Sequence, residues 1–179
     1  SFSTIGSRYH LSLAEMIAVA RQLPGRGLAG INLCISHARR RQLISQWMRE
    51  RLQTPTLTIP KGEDAQSQEL TVWPGVVLQA SLESVARGGI YNAQRLILVG
   101  WREALTLRCE ETGQEYEVPL AWAAENLRHG AAVCYAAIQG KTCRGTVALW
   151  CTGSRRMTRR HLILGLSRAT AIDKVWLGE

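Results

Sequence analysis

Apolar residues recur at helical intervals from Leu13 through Met16, Ile17 and Ala20 to Leu23, behind a Ser12/Glu15 pair at capping-box spacing and ahead of the stop Pro24-Gly25. This predicts a first amphipathic helix. Gly30 to Ile35 is then a short apolar run suited to a buried strand, and from Ala38 to Leu52 the residues Leu43, Ile44, Trp47, Met48 and Leu52 share one helical face. A strand that feeds a helix is an α/β unit. Thr56 to Ile59 reads as another strand, and the polar, turn-rich stretch from Pro60 to Glu69 as exposed loop.

From Val76 to Val118 the helical period disappears. Val76 to Ala80, Leu96 to Val99, Leu105 to Cys109 and Tyr116 to Val118 are short β-prone runs separated by Gly, Asn and Thr112-Gly113 punctuation, the texture of a small β-barrel or meander. After Gly130 the α/β texture returns. Ala131 to Ile138 and Thr146 to Cys151 read as strands, Thr158 as the cap of a helix running through Leu166 and weakened by Gly165, and Lys174 to Leu177 as a last strand. The fold class expected is α/β, a parallel sheet flanked by helices and interrupted by a β insert, with residues 1–74 and 129–179 forming one domain and 75–128 the insert.

Composition narrows the compartment. With 179 residues, 46% of them hydrophobic, the chain can bury an ordinary core. Its longest apolar runs, such as Leu96 to Val99, fall far short of the ~20 residues of a membrane span, and no charged-apolar-small leader opens the sequence. No membrane partner is expected, and the setting expected is intracellular, with nucleus, nucleoid and viral replication site equally compatible. Cys34, Cys109, Cys134, Cys143 and Cys151 make no C-x-x-C pair, are odd in number and sit mostly in apolar runs, as reduced cysteines do.

Formal charge is +8, arginine far outnumbers lysine, and the positive residues cluster at Arg39-Arg40-Arg41 and at Arg155, Arg156, Arg159 and Arg160. Such clusters are the footprint of a polyanion binder, and solvated helix faces carry the same pattern. Most of the six tryptophans lie beside apolar residues at core spacing; Trp73 and Trp101 are the ones expected outside the core, where they could stack on bases.

Several chemistries are disfavoured. Gly140-Lys141-Thr142 ends like a phosphate-binding P-loop, but Tyr135 stands where the loop's first glycine belongs, and a strand rather than a helix follows. Neither aspartate, Asp64 or Asp173, ends an apolar strand where it could hold magnesium. His10, His37, His129 and His161 lack metal-ligand spacing with cysteines, so no metal site is expected, and no Gly-x-Ser-x-Gly nucleophile setting is present.

Tyr135-Ala136-Ala137-Ile138-Gln139-Gly140-Lys141-Thr142, then a strand, then His161 to Thr170 with Ser167-Arg168-Ala169-Thr170 at its end, resembles motifs V and VI of superfamily 1 DNA helicases in order and spacing. Ser36-His37-Ala38-Arg39-Arg40 after a strand is similar to the Ser-His-x-x-Arg of viral-type members, and Arg8-Tyr9 to their motif IV arginine. Gly88-Gly89-Ile90-Tyr91-Asn92-Ala93-Gln94 resembles the Gly-x-x-Asn-Gly-Gln hairpin of the SH3-like subdomain in the Pif/RecD-like branch, with Ala93 in place of a glycine. In motif V, Ala137-Ile138 replace a commoner basic and hydroxyl pair.

The resemblance covers nearly the whole chain as the C-terminal half of a helicase: a second RecA-like domain with an SH3-like insert. It implies ATP with Mg as cofactor, held mainly by an N-terminal ATP-binding domain of the same polypeptide whose Walker motifs this sequence lacks, and single-stranded DNA as partner. Arg168 would be an arginine finger, with helix-end surface charge as the plain alternative. Arg8, Gln139 and Gly140 would complete the nucleotide contacts. Ser36, His37, Arg40, Asn92 and Thr142 would contact nucleic acid, or be simple turn and helix-start residues. The isolated chain is then expected to turn over no ATP. A non-enzymatic basic module built on the same fold, or a phosphotransferase using Lys141, are the other readings.

Overall fold

The computed structural model describes residues 14, 15, 18, 22–63, 67–81, 88–138, 143, 145–170 and 172–178. In chain order its elements are β1 (Ile31–Cys34), α1 (His37–Arg51), β2 (Leu57–Ile59), β3 (Leu70–Val72), β4 (Val77–Ala80), β5 (Arg95–Trp101), β6 (Ala104–Cys109), β7 (Glu115–Pro119), α2 (Leu120–Asn126), β8 (Leu127–His129), β9 (Ala132–Cys134), β10 (Val147–Leu149), α3 (Arg159–Arg168) and β11 (Val175–Leu177). Short 3-10 helices follow β9 at Tyr135–Ile138 and precede β11 at Ile172–Lys174. Of the predicted first helix, Ala14, Glu15 and Ala18 are helical, and most of the rest lies outside the described residues.

Two compact units result, Ser1–Trp47 with Ala131–Glu179, and Met48–Gly130. The stretch 75–128 lies wholly inside the second unit, which also takes in residues 48–74.

The first unit is built on a parallel sheet of order β11-β10-β1-β9. All four residues of central β1 are buried, as expected when helices cover both faces of a parallel sheet. One face carries Ile31, Leu33, Val133, Val147, Leu149 and Val175 under Leu162 and Leu166 of α3. The other carries smaller residues, Cys34, Ala132 and Ala148, under Leu43 and Ile44 of α1. That face also holds a fully buried amide. Asn32 donates to the carbonyls of Ala29 and Ala131 at 2.9 and 2.8 Å, and accepts from the Ala29 amide and the Trp150 indole, each at 2.9 Å. Every donor and lone pair of the side chain is used, so the polar group costs little to bury.

Thr158 caps α3 as predicted: its hydroxyl accepts from the His161 amide, and His161 Nδ1 accepts in turn from the Thr158 amide at 3.1 Å. Gly165, which by propensity weakens this helix, is what lets it lie close to the sheet. A Cβ there would stand 2.7 Å from Leu149 Cδ2 and 3.0 Å from Tyr135 Cε1. The apolar run from Ala131 to Ile138, expected as one strand, is strand only over Ala132–Cys134. The chain then coils into the 3-10 turn, where the Tyr135 phenol donates to the Trp150 carbonyl at 3.1 Å.

The second unit has an antiparallel sheet of order β7-β6-β5-β4-β8 and a separate β2–β3 hairpin. Leu78, Leu96, Leu98, Leu105 and Leu107 point alternately inward along it. A bulge between Leu98 and Gly100 leaves Val99 outside. Trp73, expected outside the core, is buried, with its ring 6.0 Å from that of His129, while Trp101 is half-buried. Within the stretch expected to be exposed loop, Ser67 is buried, and its hydroxyl accepts from the Gly62 amide at 2.7 Å. No helix among the described residues is long and apolar enough to cross a membrane.

Candidate nucleic-acid and nucleotide sites

The strand order places β1 between β9 and β10, so the chain leaves β1 toward one side and later crosses to the other. The carboxyl ends of strands beside such a switch in direction are where open α/β sheets hold ligands. Ser36, His37 and Arg40 stand there together. The Ser36 hydroxyl accepts from the Arg39 amide at 3.2 Å, and its carbonyl accepts from the Arg40 amide at 3.0 Å, so Ser36 caps α1. His37 is exposed at the first position of the helix, and Arg40, one turn on, is partly buried. Arg39 is drawn aside onto the indole of Trp150, 4.9 Å from the ring centroid.

Charge at this edge opposes the helix dipoles. Both α1 and α3 begin at the carboxyl edge, neither has an acidic residue in its first turn, and the early positions carry Arg39, Arg40 and Arg41 in one and Arg159 and Arg160 in the other. A cation near a helix N-terminus costs about 0.3–1 kcal/mol, and an anion placed there removes the conflict. Two such termini along one sheet edge suit a chain of phosphates better than a single one.

A thiol cluster lies under the same edge. Cys34 and Cys134 end β1 and β9 as in-register partners, and His37 Nδ1 is 3.9 Å from Cys134 Sγ. A hydrogen bond from the Cys34 thiol holds the Cys134 thiol below its ordinary range, with the His37 and Arg40 charges adding to it against partial burial. The same bond, together with burial, pushes Cys34 up. The apolar runs around both residues mark them only as reduced cysteines and do not show this pairing, because nothing local to either segment announces its partner.

Arg168 stands at the other end of the strands. The chain enters α3 from the carboxyl end of β10 and returns to the amino end of parallel β11, so the last helical residue lies at the amino edge. Here the Cys143 amide donates to the Arg168 carbonyl at 2.7 Å, and Cys143 forms a parallel bridge with Ala169. The Arg168 side chain is half-exposed, with Nε donating to the Ser167 hydroxyl at 3.3 Å. A half-exposed guanidinium fits a role as donor to phosphate oxygens from outside a nucleotide pocket. Arg8, Gln139, Gly140 and Thr142 lie outside the described residues.

In the second unit, Asn92 is exposed at the tip of a tight turn. The following Ala93 has φ 63°, so the position where an alanine replaces glycine does take the left-handed conformation that glycine favours. Buried Gln94 holds the turn closed: its Oε1 accepts from the Tyr91 amide at 3.0 Å and its Nε2 donates to the Tyr116 hydroxyl at 3.4 Å. Ser36, His37 and Arg40 are thus brought together, Arg168 is at the opposite edge of the same sheet, and Asn92 belongs to the other unit.

Neither a family model nor a curated protein matches the sequence. Solved structures do match the fold. A Pif1 of Bacteroides bound to single-stranded DNA superposes with a TM-score of 0.62 at 13% identity, over 91% of this chain and 44% of that one. The Pif1 helicase of Candida albicans gives 0.60 at 9% identity, over 93% and 49%. The Bacteroides helicase in complex with ADP-AlF3 and single-stranded DNA gives 0.58 at 15%, over 83% and 40%. The chain therefore shares a mixed α/β fold with part of Pif1 helicases, and it spans less than half the length of each of these three.

Proposed function

We propose that this chain is the second motor domain of an ATP-dependent DNA helicase, with Arg168 as arginine finger and with single-stranded DNA tracked by the carboxyl edge of the parallel sheet. The observation that carries this reading is the main-chain bond from Cys143 to Arg168. It ties the residue directly after the segment resembling motif V to the arginine of the segment resembling motif VI, the two stretches that in such motors report on nucleic acid and on nucleotide. A movement of one is a movement of the other. The fold shared with Pif1 helicases, one bound to single-stranded DNA and one to ADP-AlF3 as well, supports it.

In this reading ATP with Mg, held mainly by an N-terminal domain, supplies the phosphoryl group whose transfer drives the cycle. The fixed charge of Arg168 meets the charge developing on that group. His37 and Arg40 pair with strand phosphates, helped by the two basic helix termini, while Ser36 holds the first turn of α1 in place. Arg8, Gln139 and Gly140 complete the nucleotide contacts and Thr142 a contact to the strand. Residues 75–128, within the second unit, act as an SH3-like insert that presents Asn92 to nucleic acid. Alternate gripping of the strand by the two motor domains produces translocation.

The test has two arms. Anisotropy of a fluorescein-labelled oligothymidylate should show weak, salt-dependent binding to this chain, reduced several-fold in H37A and R40A; no binding at low salt sinks the nucleic-acid reading. In the polypeptide that also carries the ATP-binding domain, R168A should lower turnover by about 10³-fold with nucleotide affinity retained. An ATPase in this chain alone, stimulated by single-stranded DNA, would contradict the division of labour.

A further inference from the structure

Cys34 and Cys134 are in-register partners on adjacent parallel strands, so their side chains leave the same face of the sheet side by side. One is accessible and the other is not: Cys134 is half-buried and Cys34 fully buried. The Cys34 thiol has the carbonyls of Ser36 and Val133 within 3.6 Å and the Cys134 sulfur as a further hydrogen-bond partner. From α1, His37 and Arg40 face Cys134; from the segment after β10, Cys151 faces Cys34. Among the described residues, no carboxylate acts on either thiol. An accessible thiol beside a histidine and an arginine, with a second thiol as its in-register neighbour, is the arrangement of an oxidant-reactive cysteine and its resolving partner.

We propose that Cys134 reacts with hydroperoxides and that Cys34 resolves it to a disulfide at the carboxyl edge of the sheet. The Cys134 thiolate attacks the terminal peroxide oxygen, the O–O bond breaks, and hydroxide (alkoxide from an organic hydroperoxide) leaves, with His37 placed to return a proton to it. Cys134 is then a sulfenic acid. The Cys34 sulfur attacks the Cys134 sulfur, the S–O bond breaks, and the Cys34 proton departs with the hydroxyl as water. Two thiols are oxidised and one hydroperoxide is reduced by two electrons. The direction in which the two thiols are shifted, Cys134 down and Cys34 up, matches these roles, attack first at Cys134 and resolution by Cys34. This chemistry holds whatever the basic edge binds.

The five cysteines fall on five different tryptic peptides, so the test is direct. The reduced protein is treated with hydrogen peroxide, remaining thiols are alkylated, and the digest is mapped without reductant. The expected product links the Cys34 and Cys134 peptides and leaves Cys109, Cys143 and Cys151 alkylated. Before oxidation, Cys134 should react with iodoacetamide roughly tenfold faster than Cys151 at neutral pH, with a midpoint below the ~8.5 of a free thiol. C34S should accumulate a dimedone-trapped sulfenic acid at Cys134, and H37A should slow its formation. A Cys34–Cys151 link, oxidation of Cys151 before Cys134, or a Cys134 oxidised no faster than glutathione under the same peroxide would each overturn the proposal. These wild-type outcomes decide it even if a variant fails to fold.

Discussion

The amide of Cys143 donates to the carbonyl of Arg168 at 2.7 Å, across 25 residues of chain and beside the bridge from Cys143 to Ala169. Cys143 is buried in the core under α3 while the side chain of Arg168 reaches solvent. The bond therefore joins a rigid point to an accessible cation.

Hydrogen exchange checks that anchor. The Cys143 amide is expected to be protected to the same degree as those of Val147 to Leu149, since both belong to the same core, and C143P, which removes the donor, should cost about 1–3 kcal/mol. Rapid exchange at Cys143 would mean that the two segments move independently.

Gly165→Ala should destabilise the protein by about 1–3 kcal/mol despite a helix-propensity gain of about 1 kcal/mol, because the added methyl meets Leu149 and Tyr135 at overpacked distances. Urea denaturation measures it. A midpoint equal to or above wild type would mean that α3 does not lie this close to the sheet.

Ala93→Gly should work in the other sense. An L-residue at φ 63° carries a penalty of about 1–2 kcal/mol that glycine avoids, against an unfolded-state entropy loss of about 0.4–1 kcal/mol, for a net gain of about 0.5–1 kcal/mol. A93V should lose more than A93G gains. The melting temperatures of the two variants on either side of wild type are the readout.

Buried His129 sets a pH dependence. Burial pushes its pKa down from 6.5 to about 4, so the folded state keeps it neutral where the unfolded chain would protonate it. Its contribution is full above pH 6.5 and is lost as pH falls toward 4, up to about 3 kcal/mol in total. Urea titrations of wild type and H129F at pH values across that window should diverge by this amount. Parallel curves would assign the acid loss to other groups.

How much of this was legible in advance follows the range of each signal. The run from Ile31 to Cys34 and the helix after it, the cap at Thr158, and the short strands of the second unit all declared themselves through periodicity and turn residues, which act over a few positions. The run Ala131 to Ile138 did not, since apolar character alone does not distinguish a strand from a 3-10 turn; the Tyr135 bond to Trp150, 15 residues away, marks where the chain turns. Trp73 looked like an exposed platform because nothing in its own neighbourhood shows His129 beside it. Gly165 looked like a helix weakness because helix propensity knows nothing of the sheet beneath.

By itself the sequence determined the alternation of α/β and β texture, the basic clusters, and the two segments that resemble helicase motifs, since each is written in consecutive residues. Tertiary structure alone decided which of them meet. Parallel register brought Cys34 against Cys134, the crossover through α3 sent Arg168 to the edge opposite His37, and the fold closed the four hydrogen bonds of Asn32. The reason is that pairing between distant strands depends on register and crossover direction, quantities that exist only once the chain has packed.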